Sequence, residues 1–471
     1  MNNDMPLCVD LDGTLIKTDL MLEAIPLLLK QNPIYILFII CWAFKGRLFL
    51  KEQLSKRVQI DFDTIPINEE VRNYLIEEKK QGRIIYLVTA AVQEYADVFQ
   101  KRFKFFDDAI GSGYGINLTS TSKANYLVNR FGEKGYDYVG DTYKDLAVWK
   151  HSNNALIVSN DNKLVEQAKK ISKVTKVFDN SSTSTISILI QQFRVFQWVK
   201  NLLIFTPSLL AHNTNFNTYI DLIIAFLSFS CIASSIYIFN DLMDLKSDRL
   251  HFTKKYRPLA AGNFKISNAL LYSFLLIIIG FTISLNLSYH FTLVLIIYSI
   301  TTFLYTSILK GLYLIDIITL ALLYILRLEA GAVVSDNVIS EWLIVFALFF
   351  FFSMGALKRF AELKNYKEKV LSGRGYIAED IHIIQVTGIS SSMIAILIIV
   401  FYINSPNVMQ LYQHPKVLYL IVPVFLYWCS RLWLLADRKQ MNDDPIAFAV
   451  KDKVSYICIL MVAVIMIMGL L

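Results

Sequence analysis

At 471 residues, with 55% hydrophobic side chains and a mean hydropathy of +0.45, the chain is too apolar for a typical soluble enzyme of its size. The net charge of +7 is modest and its bases cluster between apolar runs, which speaks of membrane orientation and excludes nucleic acid as the partner. Five cysteines, Cys8, Cys41, Cys231, Cys429 and Cys458, show neither paired nor metal-ligand spacing and read as buried hydrophobes in a reducing compartment.

The apolar excess is uneven. Residues 1–180 read as a soluble domain, 181–192 as a polar linker, and 193–471 as a membrane domain in which apolar runs recur at bilayer length. No charged-then-apolar leader precedes the first strand, so the N-terminus is expected in the cytoplasm.

Leu7-Cys8-Val9 reads as a buried strand ending in Asp10-Leu11-Asp12-Gly13-Thr14, with carboxylates at i and i+2 facing the end of a sheet where open α/β folds bind ligands. A strand over 84–88 delivers Thr89, and another over 136–139 delivers Gly140-Asp141-Thr142, with Asp145 one helical turn on. Lys123 opens a helical pattern between them. These motifs, in this order, resemble the haloacid dehalogenase superfamily of phosphohydrolases over roughly residues 5–180. The resemblance implies an α/β Rossmann-like domain with a helical cap at about 16–80. It makes Asp10 the nucleophile and Asp12 the general acid and base. Thr89 and Lys123 would hold the phosphoryl oxygens, and Asp141 and Asp145 would bind Mg²⁺ with Asp10.

The cap region contains an apolar run, Ile34 to Phe44, that is too short to span a bilayer. It is either the packed core of the cap or an interfacial helix, with Lys45, Arg47, Lys51, Lys56 and Arg57 following.

Nine candidate spans centre near residues 206, 229, 277, 299, 323, 350, 392, 425 and 462, giving an all-α bundle. The alternating path puts the loops 241–267, 310–313, 358–380 and 431–453, which carry nearly all the bases, on the cytoplasmic side of a bacterial-type inner membrane. The second span runs into Asn240-Asp241-Leu242-Met243-Asp244-Leu245-Lys246-Ser247-Asp248-Arg249. Carboxylates three and four apart share a helix face, so Asp241, Asp244 and Asp248, with Asn240, can converge on Mg²⁺ beside the bases Arg249, Lys254 and Arg257. Arg327 and Glu329 lie within a span, facing a polar cavity or each other.

Asn240-Asp241-x-x-Asp244-x-x-x-Asp248-Arg249, followed by Arg257-Pro258-Leu259-Ala260-Ala261-Gly262, resembles the UbiA prenyltransferase superfamily over roughly residues 190–471. Gln197 to Asn201, Tyr305 to Lys310 with Asp316, Leu326-Arg327-x-x-Ala330-Gly331, Lys358-Arg359-x-x-Glu362 and Asp444-Pro445 resemble its decaprenyl-phosphate phosphoribosyltransferase branch. Ordinary members carry paired aspartates in a second motif, where this chain has Asp316 alone. The resemblance implies phosphoribosyl diphosphate on Mg²⁺ and a polyprenyl phosphate as acceptor. The substrates would be held by Lys200, Asn201, Arg249, Lys254, Arg257, Lys310, Asp316, Arg327, Lys358, Arg359 and Glu362. The fused phosphatase would then remove the 5-phosphate. Two other readings are prenyl transfer to an aromatic or other acceptor, and a transporter or lipid-binding protein joined to a phosphatase.

Overall fold

The structure is a computed structural model that describes residues 5–113, 117–178, 184–365, 375–441 and 445–471. Lys367, Lys369, Arg374, Asp443 and Asp444 fall outside the described residues, as does the start of the expected linker. The chain divides into two compact units, Met1–Phe193 with Tyr237–Ser273, and Arg194–Ile236 with Phe274–Leu471.

The first unit is built on six parallel strands, β1 (Leu7–Val9), β2 (Ile85–Val92), β3 (Asp108–Ser112), β4 (Asp137–Gly140), β5 (Asn154–Val158) and β6 (Lys173–Phe178), in the order β3-β2-β1-β4-β5-β6. The central strands β1 and β4 are buried along their length, as strands covered on both faces must be, with Asp137 of β4 paired to Arg83. The chain moves outward from β1 to β3 and returns to the other side of β1 at β4. The ends of β1 and β4 therefore flank the topological switch point, the place where such sheets bind ligands. Asp10 and Asp12 follow β1, Asp141 and Asp145 follow β4, Thr89 lies within β2, and Lys123 lies in the helix Ser120–Phe131.

Two expectations are corrected in this unit. β2 runs on through Thr89 to Val92, and its pairing with β3 shifts register between Val88 and Val92. The linker expected at 181–192 ends in a regular helix, Thr185–Gln192, capped by the Ser184 hydroxyl and finishing on a buried Gln192. Residues 237–273 pack in the same unit as the sheet, with Lys246 and Arg249 meeting Asp61 and Glu23 of the cap.

The cap holds three helices, Leu20–Gln31, Tyr35–Phe44 and Arg47–Ser55. Only Ile39 and Trp42 of the Tyr35–Phe44 helix are buried, while Leu37 is 62% and Phe44 89% exposed, so this helix is not the packed core of the cap. Large apolar side chains left in water each forgo about 1.5–3 kcal/mol of burial, and a short apolar helix trailed by bases suits the bilayer interface. Cys41 lies on this helix and is exposed, against the expectation that all five cysteines are buried. A fluorophore on Cys41 of the full-length protein in nanodiscs is expected to be quenched by lipid-borne nitroxide; fluorescence indifferent to the nitroxide contradicts an interfacial cap.

In the described residues, eight helices are long and apolar enough to cross a membrane: Phe216–Met243, Ile266–Leu285, Tyr289–Ser307, Ile315–Val334, Glu341–Lys364, Ala378–Ile403, Pro415–Asp437 and Lys453–Leu470. The first of the nine expected spans is different. It is an irregular stretch, Val195–Phe205, entered through Arg194 at φ 51° and followed by the short helix Thr206–Leu210 with Pro207 in its first turn. Bonds from Trp198 Nε1 to Ser234 Oγ and from Asn201 Nδ2 to Ser230 Oγ, each 2.9 Å, run it antiparallel along the Phe216–Met243 helix. On its other side Gly331 is required, since a Cβ there would lie 1.8 Å from the Ile204 carbonyl oxygen.

Candidate functional site

Asp10 follows β1, anchored by its own N–H to the Val139 carbonyl of β4. Its carboxylate accepts from Lys123 Nζ at 2.8 Å and from the Leu11 amide at 2.8 Å. Lys123 also donates to the Tyr138 hydroxyl at 2.8 Å, which in turn donates to Asp145 at 3.1 Å. Asp145 closes the loop after β4, accepting from the amides of Asp141 and Thr142 and from the Thr142 hydroxyl. Gly13 is held at φ +78° with Asp141 packed where a Cβ would stand. Carboxylate oxygens of Asp10, Asp141 and Asp145 all lie within 4.8 Å of one another, the set of this kind found among the described residues. Thr89 is fully buried in β2, its hydroxyl accepting from the Ala91 amide.

The electrostatics are those of a site short of positive charge. Burial and the neighbouring Asp145 push Asp141 up to about 8. Burial raises Asp10 despite the pull of Lys123. Burial opposes the charge on Lys123, yet Asp10 and Asp145 hold its pKa above the usual lysine value. Three buried carboxylates this close are relieved by a divalent cation, and oxygen-only donors suit Mg²⁺. Burial, then the charges of Asp19 and Asp10, push Asp12 well above the usual carboxylate value.

The acidic cluster of 240–249 lies in the same unit but does not converge as three helical carboxylates. The Phe216–Met243 helix ends before Asp244, which turns toward Lys30 Nζ at 3.4 Å. Asp241 and Asp248, both buried, share the Arg257 guanidinium at 3.1 and 2.6 Å. Burial raises Asp248 against the pull of Arg257. Two buried amide oxygens beside Asp241 make no hydrogen bond: Asn240 Oδ1, from the preceding residue, and Gln192 Oε1, whose Nε2 donates to Asp241 at 3.2 Å. Unsatisfied buried carbonyl oxygens next to carboxylates suit a hard cation. Gln192 was not legible in the sequence, because it ends a segment that reads as linker.

Arg249, expected to bind substrate, is clamped to the cap. Its guanidinium meets Glu23 of the cap at 2.5 and 3.2 Å and the Ala260 carbonyl at 3.2 Å, with both side chains under 10% exposed. Lys246 reaches Asp61 at 3.0 Å, and Lys265 lies 4.0 Å from Asp141. Removing one partner of a buried bidentate pair costs about 3–5 kcal/mol. Glu23→Ala is therefore expected to lower the melting temperature of the purified protein clearly, and the double exchange Glu23→Arg with Arg249→Glu to recover part of it. A Glu23→Ala protein as stable as the parent contradicts the clamp.

In the second unit, the sequence-selected residues fall into two networks. Arg359 is fully buried, donating to Asp316 and Glu362 at 2.6 Å each and to the Tyr305 hydroxyl at 3.0 Å, while Tyr376 donates to Asp316 at 2.5 Å. Arg359 thus lies between the two carboxylates Asp316 and Glu362 and, with Tyr305, ties three helix ends together. Arg327 is bound by Asn201 Oδ1 at 2.9 Å, the Leu323 carbonyl at 2.5 Å and the Tyr298 hydroxyl at 3.1 Å. It also sits 5.0–5.5 Å from the ring centres of Tyr298, Phe229 and Tyr324. Aromatic faces and carbonyls therefore hold Arg327, rather than Glu329, and Asn201 orients it. Lys200 lies on the irregular stretch beside Asn201, Lys310 in the turn Leu309–Gly311, Lys358 beside Arg359, and Lys254 in the turn Lys254–Tyr256 of the first unit.

Residues 201–467 match the model of the UbiA prenyltransferase family, and the chain belongs to that family. It is an integral membrane protein. Over 457 residues it is 33% identical to the uncharacterized protein y4nM of Sinorhizobium fredii, covering 96% of this chain and 88% of that one. It is 34% identical over 184 residues to a decaprenyl-phosphate phosphoribosyltransferase of Mycolicibacterium smegmatis, 38% of this chain and 58% of that enzyme. A solved structure of a predicted phosphoglycolate phosphatase from Haemophilus somnus aligns with 38% of this chain and 95% of its own, at 16% identity and a TM-score of 0.27.

Proposed function

We propose that the chain transfers 5-phosphoribose from phosphoribosyl diphosphate to a polyprenyl phosphate at the cytoplasmic face, and that its Asp10 centre then removes the 5-phosphate. The observation that carries the choice of donor is Asp316. At the position where ordinary family members have a second pair of metal-binding aspartates, Asp316 is fully buried and committed to Arg359 and Tyr376. That leaves one acidic cluster for a diphosphate, as a sugar diphosphate needs, and the identity to the phosphoribosyltransferase of M. smegmatis supports the same reading.

Asp10, Asp141 and Asp145 would hold one Mg²⁺, and Asn240, Asp241 and Asp248, with Gln192, another. The metal supplies positive charge to phosphate oxygens as negative charge gathers on the leaving group. Arg257 and Lys254 add charge beside the acidic cluster, while Lys200, Lys310, Lys358 and the caged Arg327 are the cations for the lipid phosphate. In the transfer step an oxygen of the lipid phosphate forms the bond to the anomeric carbon as the bond to pyrophosphate breaks. In the second step Asp10 attacks the 5-phosphorus, Asp12 gives its proton to the departing sugar oxygen, and an aspartyl phosphate forms. Water then attacks that phosphorus, its proton passing to Asp12, and Asp10 is restored as inorganic phosphate leaves. Lys123 and the Thr89 hydroxyl hold the phosphoryl oxygens.

Prenyl transfer to another acceptor, which the family name describes, is separated by a donor competition. Full-length protein receives either labelled phosphoribosyl diphosphate with a polyprenyl phosphate, or labelled polyprenyl diphosphate with aromatic acceptors. Label entering the lipid phase from the sugar donor is expected; a labelled prenyl adduct alone rejects the reading.

A further inference from the structure

The chain after β1 turns from Asp12 into the cap helix Leu20–Gln31, and three hydrogen bonds set that turn. The Gly13 N–H donates to the Thr18 carbonyl at 3.2 Å, the Leu20 N–H donates to the Asp12 carboxyl at 3.2 Å, and the Asp19 carboxyl accepts from the Leu22 N–H at 3.1 Å. Where the Asp12 carboxyl lies therefore depends on where the first turn of this helix lies. Glu23, in that first turn and 3% exposed, accepts from the Thr18 hydroxyl at 2.7 Å. A buried carboxylate needs a cation, and among the described residues the cation paired with Glu23 is Arg249, on the short helix Leu245–Leu250 beside Asp248. Arg249 is anchored at its other edge, its Nε donating to the Ala260 carbonyl at 3.2 Å. Two residues on, Gly262 at φ +75° presses on Lys17, next to Thr18: a Cβ there would lie 2.6 Å from the Cβ of Lys17.

A general acid works only within hydrogen-bond reach of the departing oxygen, and a misplacement of about 1 Å can cost about a hundredfold. We infer that Arg249 is a positioning residue of the phosphatase reaction: through Glu23 and the turn Thr18–Leu20 it holds the Asp12 carboxyl at the oxygen of the departing alcohol. The guanidinium suits the task, since its planar fork meets both Glu23 oxygens and still reaches Ala260, whereas a lysine ammonium fixes no such plane. The dephosphorylating centre then depends on a residue carried by the acidic stretch 240–249, so the two activities share one structural element. The inference rests on the Asp10 centre being a phosphatase and is independent of the donor used by the transferase.

The test exploits the leaving group: p-nitrophenolate departs without a proton, whereas the sugar alkoxide of ribose 5-phosphate needs one. Full-length protein is assayed for kcat with both phosphates, and the ratio of ribose 5-phosphate to p-nitrophenyl phosphate turnover is compared across variants. Asp12→Asn, which removes the acid, is expected to lower the ratio by about a hundredfold. Arg249→Met is expected to lower it about tenfold or more, and Arg249→Lys about threefold, with KM for either probe little changed. Glu23→Gln with Arg249→Met removes both buried charges together, keeps an acceptor for Thr18 and is expected to show the same fall as Arg249→Met without an unpaired carboxylate in the fold. Turnover of p-nitrophenyl phosphate, which still requires Asp10 and Lys123, reports that the centre is folded. A ratio within twofold of the parent in Arg249→Met and in the double variant, or equal loss on both probes, overturns the positioning role. A parent that cleaves neither probe, or an Asp12→Asn protein with an unchanged ratio, rejects the phosphatase reading itself and the inference with it.

Discussion

Asp10→Asn is expected to lower phosphate release roughly a thousandfold or more, while sugar transfer to lipid continues and the 5-phosphorylated lipid accumulates. The effect follows from chemistry, since an amide oxygen is a poor nucleophile toward an anionic phosphate. The substitution is nearly isosteric. The amide oxygen can still accept from the Leu11 N–H, and Lys123 keeps its link through Tyr138 to Asp145, so the loop after β1 retains its support. Mass spectrometry of the extracted lipid reads the outcome directly. Release of the 5-phosphate that survives Asp10→Asn would detach the phosphatase centre from the transferase's product.

Asp241→Ala is expected to remove sugar transfer by at least roughly a hundredfold, a loss on the scale of about 3 kcal/mol of transition-state stabilisation. Asp241 is buried beside the two unsatisfied amide oxygens of Asn240 and Gln192, and it shares Arg257 with Asp248. Its loss removes a carboxylate from the proposed metal set and leaves the Arg257 guanidinium with Asp248 alone. Phosphate release from ribose 5-phosphate reports on the folded state of the same unit, because the Asp10 centre makes no use of Asp241. If that release persists while label transfer is lost, the defect is chemical. Label transfer at the parent rate contradicts a role for the acidic cluster.

What could be read from the chain was local. β1 and β4, and the residues at their ends, follow from short apolar runs that stop at Asp10 and Gly140, and the membrane helices follow from runs of bilayer length. Partner choice among charges was not local. Arg249 finds Glu23 across 226 positions and Arg359 finds Asp316 across 43, pairings that a reading by neighbourhood does not reach. Lys51 was misplaced for a related reason: a base among bases reads as surface until the cap turns it toward Ala90. Hydropathy found the apolar stretch near residue 206, yet Arg194 and Pro207 set its backbone, and hydropathy carries no backbone geometry.

The central claim is that one chain transfers a phosphorylated sugar to lipid and then dephosphorylates it. A single doubly labelled donor tests it most directly: phosphoribosyl diphosphate carrying ¹⁴C in the ribose and ³²P at the 5-position, given with Mg²⁺ and a polyprenyl phosphate to the purified full-length protein. The account predicts that ¹⁴C enters the lipid phase while ³²P appears as inorganic phosphate, after a lag in which both labels are briefly lipid-bound. An absence of ¹⁴C from the lipid phase, or ³²P that remains with the lipid at completion, would contradict it.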